Sequence, residues 1–337
     1  MTKPTVSVLL PAYNGEKFIA EAVQSMLEQT YRDFELIVID DGSTDRTAAT
    51  LDQFHDSRIL RLCNPENLGL VRSLNRAASA AQGKYLARMD ADDISDRTRL
   101  EKQVKFLELN PEVGVLGTAV RQTDSRGRVL SKLVYPETHE LIFWRFFFGL
   151  ALQHPTVMVR ADLFNAVHGY NEEFLCGQDT ELWSRLLERT KFANLSETLH
   201  YRRLHGKSVG SSHYAAQRRY DAEIKRAFFT RVIGSTPSLA VCGWLVEPTR
   251  FLPTAYKAEL IALIGQFYKY MEQTFELAPG VRAYLHSNIQ RRLSAARLSD
   301  RRPAAKFIFR MVRDKLPIAT RHRLKQSKLG YFFARHI

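Results

Sequence analysis

The sequence is poor in the residues that would build a zinc cluster, a disulfide scaffold or a membrane span. Its three cysteines, Cys63, Cys176 and Cys242, are scattered and have no metal-ligand spacing, which indicates a reduced, intracellular setting and a packing role. The most hydrophobic long stretch, Leu141 to Leu152, covers twelve residues and includes Arg145. A bilayer-spanning helix needs about 20 apolar residues, so an integral membrane protein is not expected.

Targeting and nucleotide-binding signatures are also missing. The first apolar run, Val6 to Leu10, is five residues long and is stopped by Pro11, so no secretory signal is expected. No Gly-x-Gly-x-x-Gly motif follows this run, and no Walker lysine motif occurs. These absences count against a dinucleotide-binding dehydrogenase and against a P-loop enzyme.

What is present is an ordinary globular composition with an uneven charge distribution. The 337 residues are 45% hydrophobic and 25% charged, which suits one large domain with an appendage. The net charge is +13, and residues 236–337 carry +12 of it, from 18 Lys and Arg against 6 Asp and Glu; residues 1–235 have 31 against 30. A basic C-terminal third predicts contact with a polyanion, such as anionic lipid or nucleic acid, or else a solvated helical exterior.

Short apolar runs alternate with helical patterns over the first ninety residues. Strands are predicted at Val6–Leu10, Phe34–Ile39, Arg58–Leu62 and Tyr85–Met89. Helices are predicted between them, from Glu16 to Gln29, through Ala48 and Leu51, and from Val71 to Ala81 with Gly83 as the expected C-cap. This alternation is typical of a doubly wound, parallel sheet.

Two of these strands end in acidic residues. Asp40 and Asp41 follow the second strand, and Asp90, Asp92 and Asp93 follow the fourth, at the carboxyl edge where open α/β folds bind ligands. Carboxylates this close repel one another, and a hard cation such as Mg²⁺ or Mn²⁺ would relieve the repulsion. The alternative is an acidic loop or a helix N-cap, because aspartate is a favoured capping residue.

The middle of the chain continues the α/β pattern. The predicted elements are a helix at Arg97–Asn110, strands at Gly114–Val120 and Val129–Val134, a helix over Leu141–Leu152, a strand at His154–Arg160 and a helix opening near Cys176–Trp183. We expect the aromatic-rich helix in the core, with an acceptor-site wall or an interfacial segment as alternatives. Asp179, in the first turn of the last helix, could be no more than an N-cap.

Five motifs then occur in an order that resembles the inverting glycosyltransferases of family 2, which have the GT-A fold. They are Val6 to Asn14, Asp40-Asp41-Gly42-Ser43-Thr44-Asp45, Asn67-Leu68-Gly69, Asp90-Ala91-Asp92-Asp93, and Gln178-Asp179 before Leu182-Trp183. The resemblance covers roughly residues 4–210. It implies an α/β fold with a Rossmann-like, mostly parallel central sheet flanked by helices, followed here by a C-terminal helical basic extension.

The resemblance further implies a nucleotide-sugar donor, by hypothesis a UDP-sugar, lying across the carboxyl edge of the sheet. The implied donor-binding residues are Pro11, Ala12, Tyr13, Asn14, Asp40, Asp41, Asn67, Gly69, Arg72 and Asp90. Asp41 would read a base N–H, and Asp90 would meet the ribose or the metal shell. The implied metal site, for Mn²⁺ or Mg²⁺, comprises Asp92, Asp93 and His205. Which of the two aspartates is the direct ligand stays open, and His205 could equally be an ordinary surface or core histidine.

Asp179 occupies the position of the family's general base, which takes the proton of the acceptor hydroxyl during a single inverting displacement. Here Gln178 stands where a glutamate is commoner, which removes one negative charge beside the base and leaves acceptor recognition open. His154 precedes a strand at a position familiar in the family and is expected to support the site's architecture.

The predicted domains are a catalytic domain over 1–235, with a nucleotide-sugar half at about 1–120 and an acceptor half at about 121–235, and a basic helical region over 236–337. Helices are clearest at Tyr256–Phe275 and Val281–Leu298. Basic residues interleaved with aromatic ones from Arg291 onward are typical of a membrane-surface helix. We therefore expect a cytoplasmic enzyme, peripheral on the inner face of the membrane, that extends a bacterial-type surface glycan on a glycan or polyprenyl-linked acceptor.

Two other classes of function remain open from the sequence. The basic third could bind nucleic acid, although no recognisable nucleic-acid motif supports this and such a partner is not expected. A sugar nucleotidyltransferase also uses carboxylates and a metal on an α/β sheet, but the Gln178-Asp179 helix start argues against it.

Overall fold

The computed structural model describes residues 3–205, 214–248 and 252–298. They divide into two compact units, Met1–Phe146 with Leu150–Tyr220 and Phe147–Gly149 with Asp221–Ile337. The first unit is built on one nine-stranded sheet. The second is helical in its described part.

The amino-terminal half of the sheet is parallel. Its strands are β1 (Val6–Ala12), β2 (Phe34–Asp40), β3 (Ile59–Cys63) and β4 (Tyr85–Arg88). The helices between them are α1 (Ile19–Leu27), α2 (Thr47–Leu51) and α3 (Leu70–Ala80). Every residue of β1 is buried, as expected for a central parallel strand with both faces covered. The predicted alternation of strands and helices is confirmed here.

The other half of the sheet is mixed in direction. Its strands are β5 (Ile94–Ser95), β6 (Val113–Thr123), β7 (Val129–Leu133), β8 (Met158–Arg160) and β9 (Lys191–Arg203). The accompanying helices are α4 (Arg99–Leu109), α5 (His139–Phe146), α6 (Ala161–Ala166) and α7 (Gln178–Leu186). The order of the strands in the sheet is β3-β2-β1-β4-β8-β6-β9-β5, with β7 paired to β6. β8 runs antiparallel to both β4 and β6, whereas β9 is parallel to β6.

Three local predictions were wrong. The helix expected over Leu141–Leu152 ends at Phe146, and Phe147–Gly149 belong to the helical unit. Residues His154–Thr156 form a 3-10 turn before the short β8, because Pro155 has no N–H for a sheet and suits a helical first turn. Gly83 is not a helix cap: a Cβ there would lie 2.5 Å from Ser7 N, so glycine permits close approach to β1.

The helical unit contains the second part of α8 (Tyr214–Ile233), then α9 (Leu239–Val246), α10 (Lys257–Thr274) and α11 (Pro279–Leu298). The two helices predicted near 256–275 and 281–298 are confirmed. Its core includes the fully buried Phe147, whose ring packs against those of Phe228, Phe229 and Phe267. The basic and aromatic run predicted beyond residue 298 lies outside the described residues.

Within the described ranges, no helix is both long enough and apolar enough to span a bilayer.

Candidate active site

The predicted site residues gather at the carboxyl edge of the parallel strands. The register pairs Ala12 with Asp40 and Leu9 with Arg88, so the segments that follow β1, β2 and β4 leave the sheet side by side. Pro11 and Ala12 are buried at the end of β1, while Tyr13, just beyond it, is 49% exposed. The edge therefore presents polar and aromatic groups over an apolar sheet.

The loop after β1 is tied to the loop after β2. Asn14 has a positive φ of 49°, a conformation that asparagine tolerates better than most residues. Its Oδ1 accepts from Thr44 N at 2.8 Å, and its own N–H donates to Ser43 Oγ at 3.0 Å. Asp40 Oδ1 accepts from Ser43 N at 3.0 Å. Asp40 and Asn14 thus shape this corner together.

Asp41 fixes a third loop to the same edge. Its side chain is buried, and its oxygens accept from Asn64 Nδ2 at 2.6 Å, Leu68 N at 2.9 Å and Gly69 N at 2.9 Å. Gly69 has a φ of 89° and stands immediately before α3. Sequence reasoning missed this anchoring role, and the reading of a base N–H by Asp41 stays a prediction.

The rim beside this loop carries Asn67 and Arg72. Asn67 is exposed, and Arg72 forms an ion pair with Glu172 at 3.2 Å in which both side chains are at least half exposed. Exposed pairs of this kind contribute little to stability, so Arg72 can exchange partners. Asn75, one turn further along α3, holds the loop before α7 through two hydrogen bonds to the backbone of Tyr170.

The acidic cluster follows β4. Asp90, Asp92 and Asp93 each place one carboxylate oxygen within 4.8 Å of the others. His205, just after β9, has Nε2 at 2.8 Å from Asp92 Oδ2. Asp90 pairs with the buried Arg88, Oδ1 to Nη1 at 2.6 Å. The structure therefore brings the predicted metal-site residues into one group.

The two adjacent aspartates have different surroundings. Asp93 is 2% exposed, and its oxygens contact His200 Nε2 at 2.7 Å and Arg203 N at 2.8 Å. Asp92 is 36% exposed. The sequence offers no sign of the His200 contact, because it links residues 107 positions apart.

Burial and the closeness of the three carboxylates favour the protonated, neutral form of Asp92 and Asp93. Burial, with the charges of Asp90 and Asp93, raises the pKa of Asp92 to about 6, although His205 opposes the shift. Burial also raises the pKa of Asp93 and lowers the pKa of its partner His200 far below the usual range. Three negative charges are thus costly here without a compensating cation.

Two buried arginines lie beneath the cluster. Arg88 is 4% exposed and Arg99 is completely buried; Arg99 donates to Arg88 O at 2.8 Å and to Gln103 Oε1 at 3.0 Å. Burial, together with the charge of Arg88, lowers the pKa of Arg99 to about 9. Their positive charges partly offset those of the aspartates, a contribution that sequence reasoning also missed.

His205 is held from its other side by α1. Its ring lies 5.1 Å from that of Phe18, and the Arg203 guanidinium sits 4.4 Å above the same phenyl ring. Arg203 also pairs with Glu21 at 2.8 Å. These contacts fix the end of β9 against the acidic cluster.

Asp179 lies in the first turn of α7. Gly177 precedes the helix with a φ of 75°, and Asp179, partly exposed, accepts from Thr180 N at 2.8 Å. Glu181, the other acid in this turn, is committed to Arg185 at 2.6 Å. The alternative role of Asp179 as the helix N-cap is excluded, because the capping position is Gly177 and Gln178 is the first residue of the helix.

A buried histidine and tyrosine lie near Asp179. His154 Nε2 is 2.7 Å from Tyr170 Oη. Burial, aided by the charge of Arg88, lowers the pKa of His154 to about 3, so its ring is neutral. Burial also raises the pKa of Tyr170, and the charges of Asp179 and Asp90 both add to that rise. Asp179 and Asp90 thus both affect the pKa of the buried Tyr170, and the architectural role expected for His154 stays a prediction.

Comparison with known proteins agrees with this geometry. The model of the glycosyl transferase family 2 matches residues 7–166. The O-antigen biosynthesis glycosyltransferase WbnJ of Escherichia coli is 33% identical over 217 residues, which are 61% of this chain and 82% of that protein. The chain therefore belongs to glycosyltransferase family 2. Its activity is glycosyl transfer, and it has relatives in cell-surface polysaccharide synthesis.

Two solved structures share the fold. TarS 1–349 of S. aureus, in complex with UDP-GlcNAc, superposes with a TM-score of 0.59 at 19% identity and covers 88% of this chain and 90% of that one. The mannosyltransferase PcManGT of Pyrobaculum calidifontis, in complex with GDP-Man and Mn²⁺, gives 0.52 at 17% identity over 90% and 89%. The predicted GT-A fold is confirmed.

Proposed function

We propose that this chain transfers a sugar, with inversion, from a UDP-sugar to a hydroxyl of a glycan acceptor, using a divalent cation and Asp179 as general base. The observation that carries the proposal is the grouping of Asp90, Asp92, Asp93 and His205 at the carboxyl edge of the sheet. Family membership removes the nucleotidyltransferase alternative. The nucleic-acid alternative depends on basic residues that lie mostly outside the described ranges.

The residues present fit a hard divalent cation. Three carboxylate oxygens within 4.8 Å of one another, with an imidazole beside them, form a donor set that Mn²⁺ or Mg²⁺ accepts. We assign Asp92 as the direct ligand, with Asp90 and His205 beside it, because Asp92 is partly exposed. Asp93 supports the loop instead, since both of its oxygens are engaged by β9. When bound, such a cation neutralises the charge that develops on a departing nucleoside diphosphate.

The donor would lie across the ends of β1 and β2. Tyr13 is exposed at this edge, and the corners after both strands are held rigidly by Asn14 and Asp41. Arg72, on the rim of the site, would exchange its ion pair with Glu172 for hydrogen bonds to a donor phosphate. A phosphate is a charge-assisted, bidentate partner for an arginine. Solved structures with this fold hold UDP-GlcNAc in one case and GDP-Man in another, so the test of the proposed uridine base compares both kinds of donor.

Asp179 would remove the proton from the attacking hydroxyl. The Asp179 carboxylate is partly exposed and lies near the neutral His154–Tyr170 pair, so an acceptor hydroxyl can reach it. Arg185 of the same helix forms its ion pair with Glu181 and not with Asp179. Gln178 is buried and uncharged, which leaves Asp179 as the acid that faces the acceptor at this helix start. A positioned carboxylate base typically contributes about 10²–10⁴-fold to rate.

The acceptor proposed is a glycan or polyprenyl-linked glycan, with the enzyme at the inner face of the membrane. Two observations support this acceptor and location. The relative WbnJ is an O-antigen biosynthesis glycosyltransferase, and residues 236–337 are strongly basic. Contact of that region with anionic lipid remains a prediction, as most of its basic residues are not among those described.

The test of this function needs no acceptor. The protein is incubated with a panel of UDP- and GDP-sugars, with Mn²⁺, Mg²⁺ or EDTA, and slow release of free nucleoside diphosphate is measured. We expect release from one UDP-sugar, dependent on the cation and lost in Asp92→Ala. Equal release in EDTA would contradict the metal site, and release from a GDP-sugar alone would contradict the proposed base.

A further inference from the structure

The β6–β7 hairpin, residues 121–134, combines exposed aliphatic side chains with basic ones. Val129, Leu130 and Val134 are 56%, 58% and 57% exposed, although they lie within six positions of one another. The segment also carries four basic residues and one acid, and it contains no aromatic residue. Single exposed aliphatic residues are ordinary, but a cluster on an edge strand marks a contact surface.

One face of the hairpin carries both kinds of side chain. Successive residues of a strand point to opposite faces, so Leu130 and Lys132 share one face of β7. Val134 follows just after the strand ends, and all three residues are exposed. The register sets Arg121 of β6 directly opposite Lys132. The Arg121 guanidinium also lies 6.0 Å from the centroid of the Tyr201 ring. Like charges directly opposite each other destabilise a sheet, so a negatively charged partner would stabilise this arrangement.

The single acid of the hairpin is used by the turn itself. Asp124 Oδ1 accepts from Arg126 N and Arg128 N, each at 2.9 Å, and its Oδ2 accepts from Arg128 Nε at 2.7 Å. Gly127 completes the turn with a φ of 80°. The tip is thus fixed by its own hydrogen bonds and presents Arg126 and Arg128, both exposed, beside Val129 and Leu130.

We propose that this hairpin contacts the surface of an anionic lipid bilayer, with the aliphatic side chains among the acyl chains and the basic ones at the headgroups. Basic residues gain energy near anionic headgroups, and a lysine between two aliphatic residues can bury its stem while its ammonium group reaches the phosphates. A second copy of this chain would bring the same positive charge and repel. A nucleic acid would engage the basic side chains through its phosphates and would leave Val129, Leu130 and Val134 in water, so these exposed aliphatic residues favour the bilayer.

Contact between the hairpin and a bilayer would also bring the candidate active site close to the membrane. The root of the hairpin adjoins the candidate active site, since Leu204 N, next to His205, donates to Thr123 O at 2.8 Å. A bilayer against the hairpin would hold the acidic cluster close to lipid headgroups, where a lipid-linked acceptor carries its glycan. That consequence rests on the proposed function, whereas the bilayer contact does not.

The contact is tested by a fluorophore on the hairpin of the full chain. In a Cys63→Ser background, because Cys63 is the exposed cysteine, Leu130→Cys is labelled with an environment-sensitive probe. Leu109→Cys is the matched control, as Leu109 is 71% exposed and lies near the start of β6, roughly 30 Å from the hairpin at about 3.3 Å per residue. Vesicles contain phosphatidylcholine with or without phosphatidylglycerol.

We expect a blue shift and a severalfold increase in emission at position 130 with anionic vesicles, and no change at 109. The control separates this contact from one made by residues 236–337. The double variant Arg126→Gln/Lys132→Gln should raise the lipid concentration that gives half of the maximal emission change about 25-fold, at about fivefold per basic residue. Leu130→Ser should leave the rate of donor hydrolysis unchanged. An unchanged probe at 130 on vesicle-bound protein, equal responses at 130 and 109, or a response to protein concentration without vesicles would overturn the proposal.

Discussion

Replacing Asp93 with alanine should damage the fold, whereas replacing Asp92 with alanine should damage cation binding. Asp93 is 2% exposed and is hydrogen-bonded to His200 at 2.7 Å and to Arg203 N at 2.8 Å. Removing its carboxylate leaves two buried groups without partners, and each such group costs about 1–3 kcal/mol. We therefore expect Asp93→Ala to lower the free energy of unfolding by about 2–6 kcal/mol.

Melting temperatures in EDTA and in Mn²⁺ separate the two aspartates. A loss of about 4 kcal/mol corresponds to a fall of roughly 8–16 °C for a unit of this size. Asp92 is 36% exposed, and its removal relieves repulsion from Asp90 and Asp93, so Asp92→Ala should melt close to wild type in EDTA. Mn²⁺ should raise the melting temperature of the wild type by mass action and leave that of Asp92→Ala unchanged.

Asp93→Asn is the matched control for this comparison. An asparagine oxygen can still accept from Arg203 N, and its amide can donate to the neutral His200 ring, so most of the stability should return. The reasoning is refuted if Asp93→Ala melts with the wild type. It is also refuted if Asp92→Ala keeps the Mn²⁺ shift.

Three further predictions concern the base, the pH dependence and the backbone. Asp179→Asn should lower transfer by about 10²–10⁴-fold with UDP affinity unchanged by calorimetry; retained turnover would remove this residue from the mechanism. Mn²⁺ affinity, measured by electron paramagnetic resonance, should fall about tenfold per pH unit below about pH 6, because protons then occupy Asp92, whose pKa is raised to about 6; a flat profile would count against that ligand. Gly42→Ala should destabilise the protein far more than Gly127→Ala, because a Cβ at Gly42 would lie 2.4 Å from the Glu66 carbonyl carbon, whereas a Cβ at Gly127 would meet open space. Gly127→Ala should cost only about 1–2 kcal/mol of backbone strain. Equal melting temperatures of the two variants would contradict this prediction.

The local pattern of the first ninety residues is enough to predict the fold of the nucleotide half. Continuous apolar runs such as β1 and β2 end in polar residues, and each is followed by a helix, so the alternation of strands and helices and the polar carboxyl edge follow from the sequence. The grouping of the three aspartates at that edge could likewise be predicted. Their positions within five residues of chain make it a local feature.

The remaining parts of the fold and of the candidate site depend on contacts between segments that are far apart in the sequence. β9 was not predicted as a whole, because its 13 residues mix buried and exposed positions irregularly where its register with β6 shifts. The His200–Asp93 contact lies beside the pairing of β9 with the short strand β5, in which Ser95 is opposite His200. No sequence pattern marks the role of Asp41 in holding the loop at Leu68 and Gly69, since a carboxylate that binds backbone N–H groups looks the same in sequence as one that binds a ligand.

Cation-dependent release of nucleoside diphosphate from a nucleotide-sugar tests the central claim most directly. The wild type and Asp92→Ala are compared with the same UDP-sugar in Mn²⁺ and in EDTA, without acceptor. The account predicts release by the wild type in Mn²⁺ and only background release in the other three reactions. Release by Asp92→Ala in Mn²⁺ at the wild-type rate would contradict it.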